Sequence, residues 1–210
     1  MTSPQTLEAM QRVNGLLQAG EFRAALVRLR AIVGTHPDYA EAQRLLGGVT
    51  LMLGDAAGAE RILRRAIECN PEWTPTLTTL GELLLCRGRR AEAETCLQRA
   101  VAARQPDPHA AEVLARYYND RKQPARALAV VAPFCALDNV SPELIVQHVA
   151  ALVALGRSND AIEWCRTLVA RSPRNAAAEQ ALASALQAAN RHDEAEGIAR
   201  HALEHGPRSA

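Results

Sequence analysis

Four side chains, Arg44, Glu112, Arg116 and Asn119, have the chemistry of recognition rather than of catalysis. The last three are spaced by four and three residues, which aligns them on one face of a helix. Guanidinium and amide groups donate directional hydrogen bonds, and a guanidinium can hold a carboxylate in a bidentate pair. This set therefore favours hydrogen bonding and ion pairing with a polypeptide.

The sequence contains few residues arranged as catalytic or metal-binding patterns require. His201 and His205 lie four apart with Glu204 between them, as two metal ligands would. A third ligand is not evident, so we interpret them as exposed histidines near a helix end, where the dipole favours positive charge. The sequence has no glycine-rich phosphate loop, nucleophile elbow or His-Glu-x-x-His motif, and Lys122 is its single lysine. We predict that the chain is not an enzyme and holds no metal or cofactor.

The composition excludes several classes of partner. The net charge is +1 and no basic block exists, so no nucleic-acid partner is expected. Trp73 and Trp164 are interpreted as packing residues rather than a base-stacking platform, because no basic surface accompanies them. No apolar run approaches the roughly 18 residues of a membrane span. The start of the chain has no signal-peptide pattern.

The cysteines indicate a reducing compartment. They are odd in number, widely spaced and without a Cys-x-x-Cys pair, as small core residues would be. They are Cys69, Cys86, Cys96, Cys135 and Cys165. We expect a cytoplasmic protein, and the Ala- and Arg-rich, nearly Lys-free composition is typical of a bacterial one.

The elements that must position these side chains follow from a repeat of 34 residues. Leu46-Gly47 aligns with Leu80-Gly81, and Ala59 aligns with Ala93. A fixed period of this length is typical of a stacked array of supersecondary units. Steps of 34 give six units without insertion: 6–39, 40–73, 74–107, 108–141, 142–175 and 176–209.

Each unit contains two amphipathic runs with a break at its fifteenth residue. We number places from the first residue of each unit. Glycine and asparagine tolerate the left-handed conformation that ends a helix, so the break predicts a helix end and a tight turn. Place fifteen holds Gly20, Gly54, Gly88, Lys122, Gly156 and Asn190. Lys122 is the exception, and its turn is helped by Pro124 at the start of the next helix.

Small residues at two further places predict closely packed helices. Place twenty is alanine in all six units, and place eight is small or short. Place eight holds Val13, Gly47, Gly81, Ala115, Val149 and Ala183. A proline at place thirty-two stops the second helix in four units. These prolines are Pro37, Pro71, Pro173 and Pro207.

This pattern resembles the tetratricopeptide repeat family. In the second unit the resemblance rests on Leu46, Gly47, Ala59, Leu63, Ala66 and Pro71. It implies an all-α fold, a right-handed α-solenoid of six helix-turn-helix units forming a single superhelix over residues 1–210. In such a fold the first helices line a concave groove and the second helices form the convex side.

Some residues depart from the repeat pattern. Arg12 stands where other units have leucine, so the first helix is expected to be a partly exposed cap. The third unit places its proline one residue late, at Pro106. Pro133 predicts a kinked or shortened helix, because an interior proline removes a hydrogen bond. His148, at the leucine place of the fifth unit, is expected to be buried and bonded to a neighbouring backbone group.

Places two, five, nine and twelve of each first helix form a separate stripe that, by the resemblance, faces the groove. In the last two units the stripe is Glu143, Val146, Ala150 and Val153, followed by Ala177, Gln180, Ser184 and Gln187. The candidate partner-binding residues are Asn14, Arg44, Glu82, Glu112, Arg116, Asn119, Gln180, Ser184 and Gln187. The clamp with which some members of the family grip a peptide carboxylate is absent, since Gly48 replaces its asparagine.

Three functional hypotheses follow from this pattern. The first is a scaffold that binds a protein or peptide segment in the groove. The second is the N-terminal recognition domain of a larger bacterial enzyme of the sulfotransferase, oxygenase or glycosyltransferase type. The third is self-association through the uncapped last unit, where Ile198, Ala202 and Leu203 lack a neighbour.

Overall fold

The computed structural model describes residues 4–136, 140–172 and 175–205, with side chains up to residue 200. Within these ranges every regular element is an α-helix, which confirms the all-α prediction. The helices of the first three units are α1 Pro4–Gln18, α2 Phe22–Thr35, α3 Ala40–Met52, α4 Ala56–Cys69, α5 Thr74–Cys86 and α6 Arg90–Val101. Those of the last three are α7 Pro108–Asp120, α8 Pro124–Cys135, α9 Pro142–Ala154, α10 Ser158–Arg171, α11 Ala176–Ala188 and α12 His192–His205.

The helices pack in sequence order within two compact bodies, Met1–Ala110 and Ala111–Ala210. In the first body, consecutive helices from α1 to α6 are in contact, and α3 also contacts α5. In the second body the same holds for α8 to α12, and α9 also contacts α11. The first helices α3 and α5 are therefore neighbours in the first body, as are α9 and α11 in the second, and each pair has a shared face.

The turn inside each unit has the predicted conformation. The backbone φ is positive at place fifteen of all six units, including 56° at Lys122 and 59° at Asn190. In the first unit the N–H of Glu21 donates to the carbonyl of Leu16 at 2.8 Å, and Gly20 donates to Leu17 at 3.1 Å. The same two bonds recur in the other five turns. They define a Schellman motif, which satisfies the carbonyls at the end of each first helix.

The core of each unit is built on small side chains. The alanine of place twenty is at most 3% exposed in every unit. A Cβ added to Gly47 would lie 2.7 Å from Cγ of Leu63, and one added to Gly81 would lie 2.7 Å from Cγ of Leu97. The two helices are therefore separated by the thickness of one leucine side chain.

The departures from the repeat have local effects. α8 continues through Pro133 to Cys135 and has 12 residues, the same length as α6, which contains no proline, so the length of α8 is not evidence of the expected shortening. Arg12 is exposed and donates to Glu8 at 2.6 Å, as expected for the outer side of a cap. Pro37 follows the end of α2 by two residues. Pro173 and Pro207 lie outside the described residues.

None of the helices in the described ranges could span a bilayer, because none is both long and apolar enough.

Gly47→Ala is expected to lower the free energy of unfolding. Overpacking against Leu63 costs about 1–3 kcal/mol, which outweighs a gain in helix propensity of about 1 kcal/mol. Urea unfolding followed by circular dichroism measures the change. Gly48→Ala is the matched control, since its Cβ meets no atom within 4 Å, and it should stabilise by about 0.5–1 kcal/mol. Equal effects of the two substitutions would contradict the close contact.

Lys122→Gly is expected to raise the free energy of unfolding by about 0.5–1 kcal/mol, because a side chain in the left-handed region strains the backbone. Lys122→Ala removes the same charge but keeps the strain, so it should change stability little. Thermal and urea unfolding of the two variants test this. A gain with alanine as large as the gain with glycine would show that charge, not backbone conformation, is responsible.

Candidate functional site

The stripe at places two, five, nine and twelve of the first helices is called the first-helix face, and it is described separately for each body. In the first body, Arg44 is held by its own helix. Its Nε donates to Oε2 of Glu41 at 3.0 Å and its Nη2 donates to Oε1 at 2.7 Å. These hydrogen bonds raise the pKa of Arg44, and the charges of Asp107 and Glu82 add to the effect. A partner's carboxylate must compete with Glu41 for this guanidinium.

Glu82 and Thr78 link α5 to the segment that begins α7. Nε2 of His109 lies 3.1 Å from Oε1 of Glu82, and Thr78 donates its hydroxyl to Asp107 at 2.5 Å. Asn14 is exposed on α1. Acidic groups therefore outnumber arginines on the first-helix face of this body.

In the second body, two of the candidates connect α7 to the start of α9. Ser141 donates its hydroxyl to Glu112, while the same oxygen accepts the N–H of Leu144 at 3.2 Å. Arg116 lies 3.6 Å from Glu143 and its side chain is 52% exposed. Glu112 is thus engaged by Ser141, whereas the longer Arg116–Glu143 pair leaves guanidinium donors for a partner.

Asn119 makes a third connection to α9. Its Nδ2 donates to Oε1 of Gln147 at 2.9 Å and to the backbone carbonyl of Gln147 at 3.2 Å. Its Oδ1 is buried without a hydrogen bond. Asn119 therefore positions neighbouring helices, a role that the sequence pattern did not indicate.

A cleft of about 360 Å³ opens between α9 and α11. Its lining is apolar apart from two neutral polar side chains, Gln180 and Ser184. The lining residues are Val146, Val149, Ala150, Val153, Ala177, Gln180, Ala181 and Ser184. Six of these eight belong to the stripe predicted from the sequence, and Val149 and Ala181 do not. Gln187 is exposed on α11 but does not line the cleft.

The shape of this cleft follows from small side chains. Ala150 and Ser184 are exposed and leave the space open, and Val146 on its wall is 49% exposed. The hydroxyl of Ser184 donates to the carbonyl of Gln180 at 3.1 Å, which satisfies it within its own helix. An aliphatic side chain of a partner can therefore enter the cleft without leaving that hydroxyl unpaired.

A dense ionic cluster lies away from the first-helix face, on α4, α6 and the turn between α5 and α6. Glu60 is 9% exposed and accepts hydrogen bonds from Arg64 at 2.9 Å, Arg87 at 2.5 Å and Arg89 at 2.6 Å. Burial acts to raise the pKa of Glu60, but the bonds from Arg64 and Arg89 outweigh it and lower the pKa. Glu60 and Arg64 have the four-residue spacing of a pair within one helix, whereas the contacts of Arg87 and Arg89 join residues 27 and 29 apart in the sequence. The role of this cluster is to join the second and third units.

Two of the five cysteines, Cys135 and Cys165, are buried as expected of core residues, but the expectation is wrong for Cys69 and Cys86, which are exposed. Burial raises the pKa of the Cys135 and Cys165 thiols to about 12, so both are protonated at neutral pH and poor nucleophiles. Within the described part of the chain, no three His, Cys, Asp or Glu side chains converge to hold a metal ion. The side chains of His201, Glu204 and His205 lie outside it.

Comparison with known families decides the identity of the fold. A family model described as tetratricopeptide repeat matches residues 76–208, and a second model of the same description matches residues 16–76. The chain belongs to the tetratricopeptide repeat family. The repeat fold is consistent with protein–protein interaction, and such proteins are generally non-enzymatic scaffolds. None of the curated proteins compared with it matches the sequence.

Solved structures with the same fold cover nearly all of the chain. The structure of pilF of Pseudomonas aeruginosa has a TM-score of 0.70 at 20% identity, covering 97% of this chain and 93% of that one. PilW, described as a type IV pilus biogenesis factor, has a TM-score of 0.71 at 16% identity, covering 99% and 96%. YrrB, described as a tetratricopeptide repeat protein with an unusual peptide-binding site, has a TM-score of 0.61 at 14% identity, covering 86% and 93%. At these identities the likeness shows the fold alone.

His148 on α9 is a buried histidine, but the expectation that it bonds to a neighbouring backbone group is wrong for Nδ1. That atom has no hydrogen bond within the described residues, and the ring centroid lies 4.5 Å from that of Trp164. Burial, followed by the positive charge of Arg157, lowers the pKa of His148. The ring is therefore held neutral in the folded repeat.

We expect acid to destabilise the protein partly through His148. The unfolded chain takes up a proton near the ordinary histidine pKa of about 6.5, whereas the folded chain resists it, so stability falls as the pH drops through that region. His148→Leu should flatten the dependence of the unfolding midpoint on pH between about 7.5 and 5.5. His192→Gln, at the exposed start of α12, is the control and should leave it unchanged. A His148→Leu profile parallel to that of the wild type would contradict the assignment.

Proposed function

We propose that this tetratricopeptide repeat protein is a scaffold that binds a polypeptide segment along its first-helix face. The observation that carries the proposal is the apolar cleft between α9 and α11, which is lined mostly by stripe residues. Its volume of about 360 Å³ lies within the range of about 300–1,000 Å³ that ligand clefts occupy. Burial of one aliphatic side chain there is favourable by about 1.5–3 kcal/mol.

The charges of the first-helix face indicate the character of the bound segment. In the first body the face carries Glu41 and Glu82 against a single arginine, Arg44, and their charges help to raise the pKa of that arginine. In the second body Glu112 and Glu143 accompany Arg116. Acidic groups exceed basic ones in both cases, so the face favours a segment that carries lysine or arginine as well as an aliphatic residue.

The contacts of α7 with α9 support this role by fixing the helix that carries one wall of the cleft. The Asn119 amide bonds twice to Gln147, and Gln147 also donates to Glu143 at 2.8 Å. A wall that is already ordered loses less conformational entropy when a ligand binds. The nine residues predicted from the sequence therefore divide between candidate ligand contacts, such as Gln180 and Ser184, and positioning residues, such as Asn119.

The wider biological setting is also a proposal. YrrB is described as having a peptide-binding site, and we extend the capacity for peptide binding, not the ligand, to this chain. The same recognition role fits a repeat array within a larger bacterial enzyme, and the expected compartment is the cytoplasm. Self-association through the last unit remains a hypothesis: Ile198 is half-buried, while the side chains of Ala202 and Leu203 lie outside the described residues.

Ala150→Phe is expected to fill the cleft and abolish peptide binding. A random 12-residue peptide library displayed on phage is selected on the wild-type protein, and the dissociation constants of the enriched peptides are measured by calorimetry. We expect enrichment of an aliphatic residue beside lysine or arginine, and at least a ten-fold loss of affinity in the variant. Ala170→Phe, the same change at an exposed position of α10, should bind as the wild type does. Selected peptides that bind both variants equally, or a library that yields none, would refute the proposal.

A further inference from the structure

A second cleft, of about 450 Å³, lies between the loops that follow α4 and α6 in the first body. None of its lining residues belongs to the first-helix face, so it is independent of the site proposed above. The polar and aromatic groups that line it are Asn70, Glu72, Trp73, Arg104 and Gln105. We infer that this cleft binds a small zwitterion of the amino-acid or dipeptide class.

The cleft lies where the repeat pattern is broken. α4 has 14 residues and is followed by the four-residue loop 70–73, whereas α6 has 12 and is followed by the six-residue loop 102–107. The late proline of the third unit, Pro106, belongs to this longer loop. Ala103, a small side chain, lines the cleft beside it. The early end of α6 thus places a longer loop beside the shorter one, and a cavity of ligand size results.

The functional groups of the cleft are free to bind. Within the described part of the chain, the side chains of Asn70, Glu72, Arg104 and Gln105 make no hydrogen bond and no ion pair. Trp73 is 37% exposed, although an indole of that size is usually well buried. Three arginines of the same two units, Arg64, Arg87 and Arg89, are by contrast paired with glutamate.

The chemistry of these groups selects the ligand. A guanidinium pairs with a carboxylate, and a carboxylate pairs with an ammonium group. Arg104 and Glu72 together therefore match a molecule that carries both charges, and the two amides supply further hydrogen bonds. The exposed indole favours an apolar or aromatic side chain lying against it. An amino acid or dipeptide with such a side chain presents all of these features within the volume of the cleft.

The test uses the two tryptophans of the intact protein. The indole N–H signals of Trp73 and Trp164 are assigned in ¹H–¹⁵N spectra with Trp73→Phe, and the wild type is titrated to millimolar concentration. The ligands are L-phenylalanine, L-leucine, the dipeptide Ala-Phe, and the uncharged N-acetyl-phenylalanine amide. We expect a saturable shift of the Trp73 signal with the zwitterions and none with the amide. The Trp164 signal serves as the internal control and should stay in place.

Substitutions then test the assigned contacts. Arg104→Gln and Glu72→Gln should each weaken the binding at least ten-fold, while Arg65→Gln, an exposed arginine of α4, should leave it unchanged. A stronger response to Ala-Phe than to L-phenylalanine would identify a free dipeptide as the preferred ligand, and the reverse would identify the free amino acid. The inference is overturned if no zwitterion shifts the Trp73 signal, if the uncharged amide binds equally well, or if both charge-removing variants bind as the wild type does.

Discussion

In the second and third units the two helices touch where a glycine of the first helix faces a leucine of the second helix. Gly47 and Gly81 have no room for a Cβ because Leu63 and Leu97 occupy that space. The alanine at place twenty keeps the same two helices close, and it is buried in every unit. Because a helix places residues three and four apart on one face, this contact also fixes which residues lie on the other faces. The first-helix face of these two units depends on it.

The fold could be predicted because it follows from regular spacing, whereas only Gln180 and Ser184 of the nine candidate residues line the cleft. A positive φ at place fifteen requires a residue that tolerates it, and the six residues there mark the six turns. Helical spacing likewise assigned Val146, Ala150 and Gln180 to one stripe, and all three line the cleft. These patterns are the helical spacing within a unit and the 34-residue period that repeats it.

The partners of the polar side chains could not be predicted in the same way. Asn119 has the spacing of a ligand contact, yet its amide bonds to Gln147, 28 residues away in the sequence. Such a pair depends on the offset between neighbouring units, which the period alone does not specify. The cleft at Trp73 was missed for a related reason: it depends on where α6 ends, and helix ends are the least certain feature of a sequence pattern.

Ion pairs between units follow the repeat more closely than the sequence alone indicated. Arg64 contacts Glu92 at 3.0 Å, and Arg89 contacts the same glutamate at 2.6 Å. Arg166 and Arg191 hold Glu194 in the same way, at 2.7 and 2.6 Å. The three residues occupy equivalent places in each case, so one arrangement joins successive units in both bodies. Exposed pairs of this kind contribute about 0–1 kcal/mol each, so they set the offset between units more than they stabilise the fold.

The wall of the cleft between α9 and α11 is made of alanine, serine and valine, and several of these side chains reach solvent. A methyl group added to or removed from such a wall changes the shape of the opening while the interior of the repeat stays intact. Under the proposed function, ligand preference can therefore diverge through single substitutions that the fold tolerates. Duplicated copies of such a gene would be free to acquire different partners without first acquiring a new architecture.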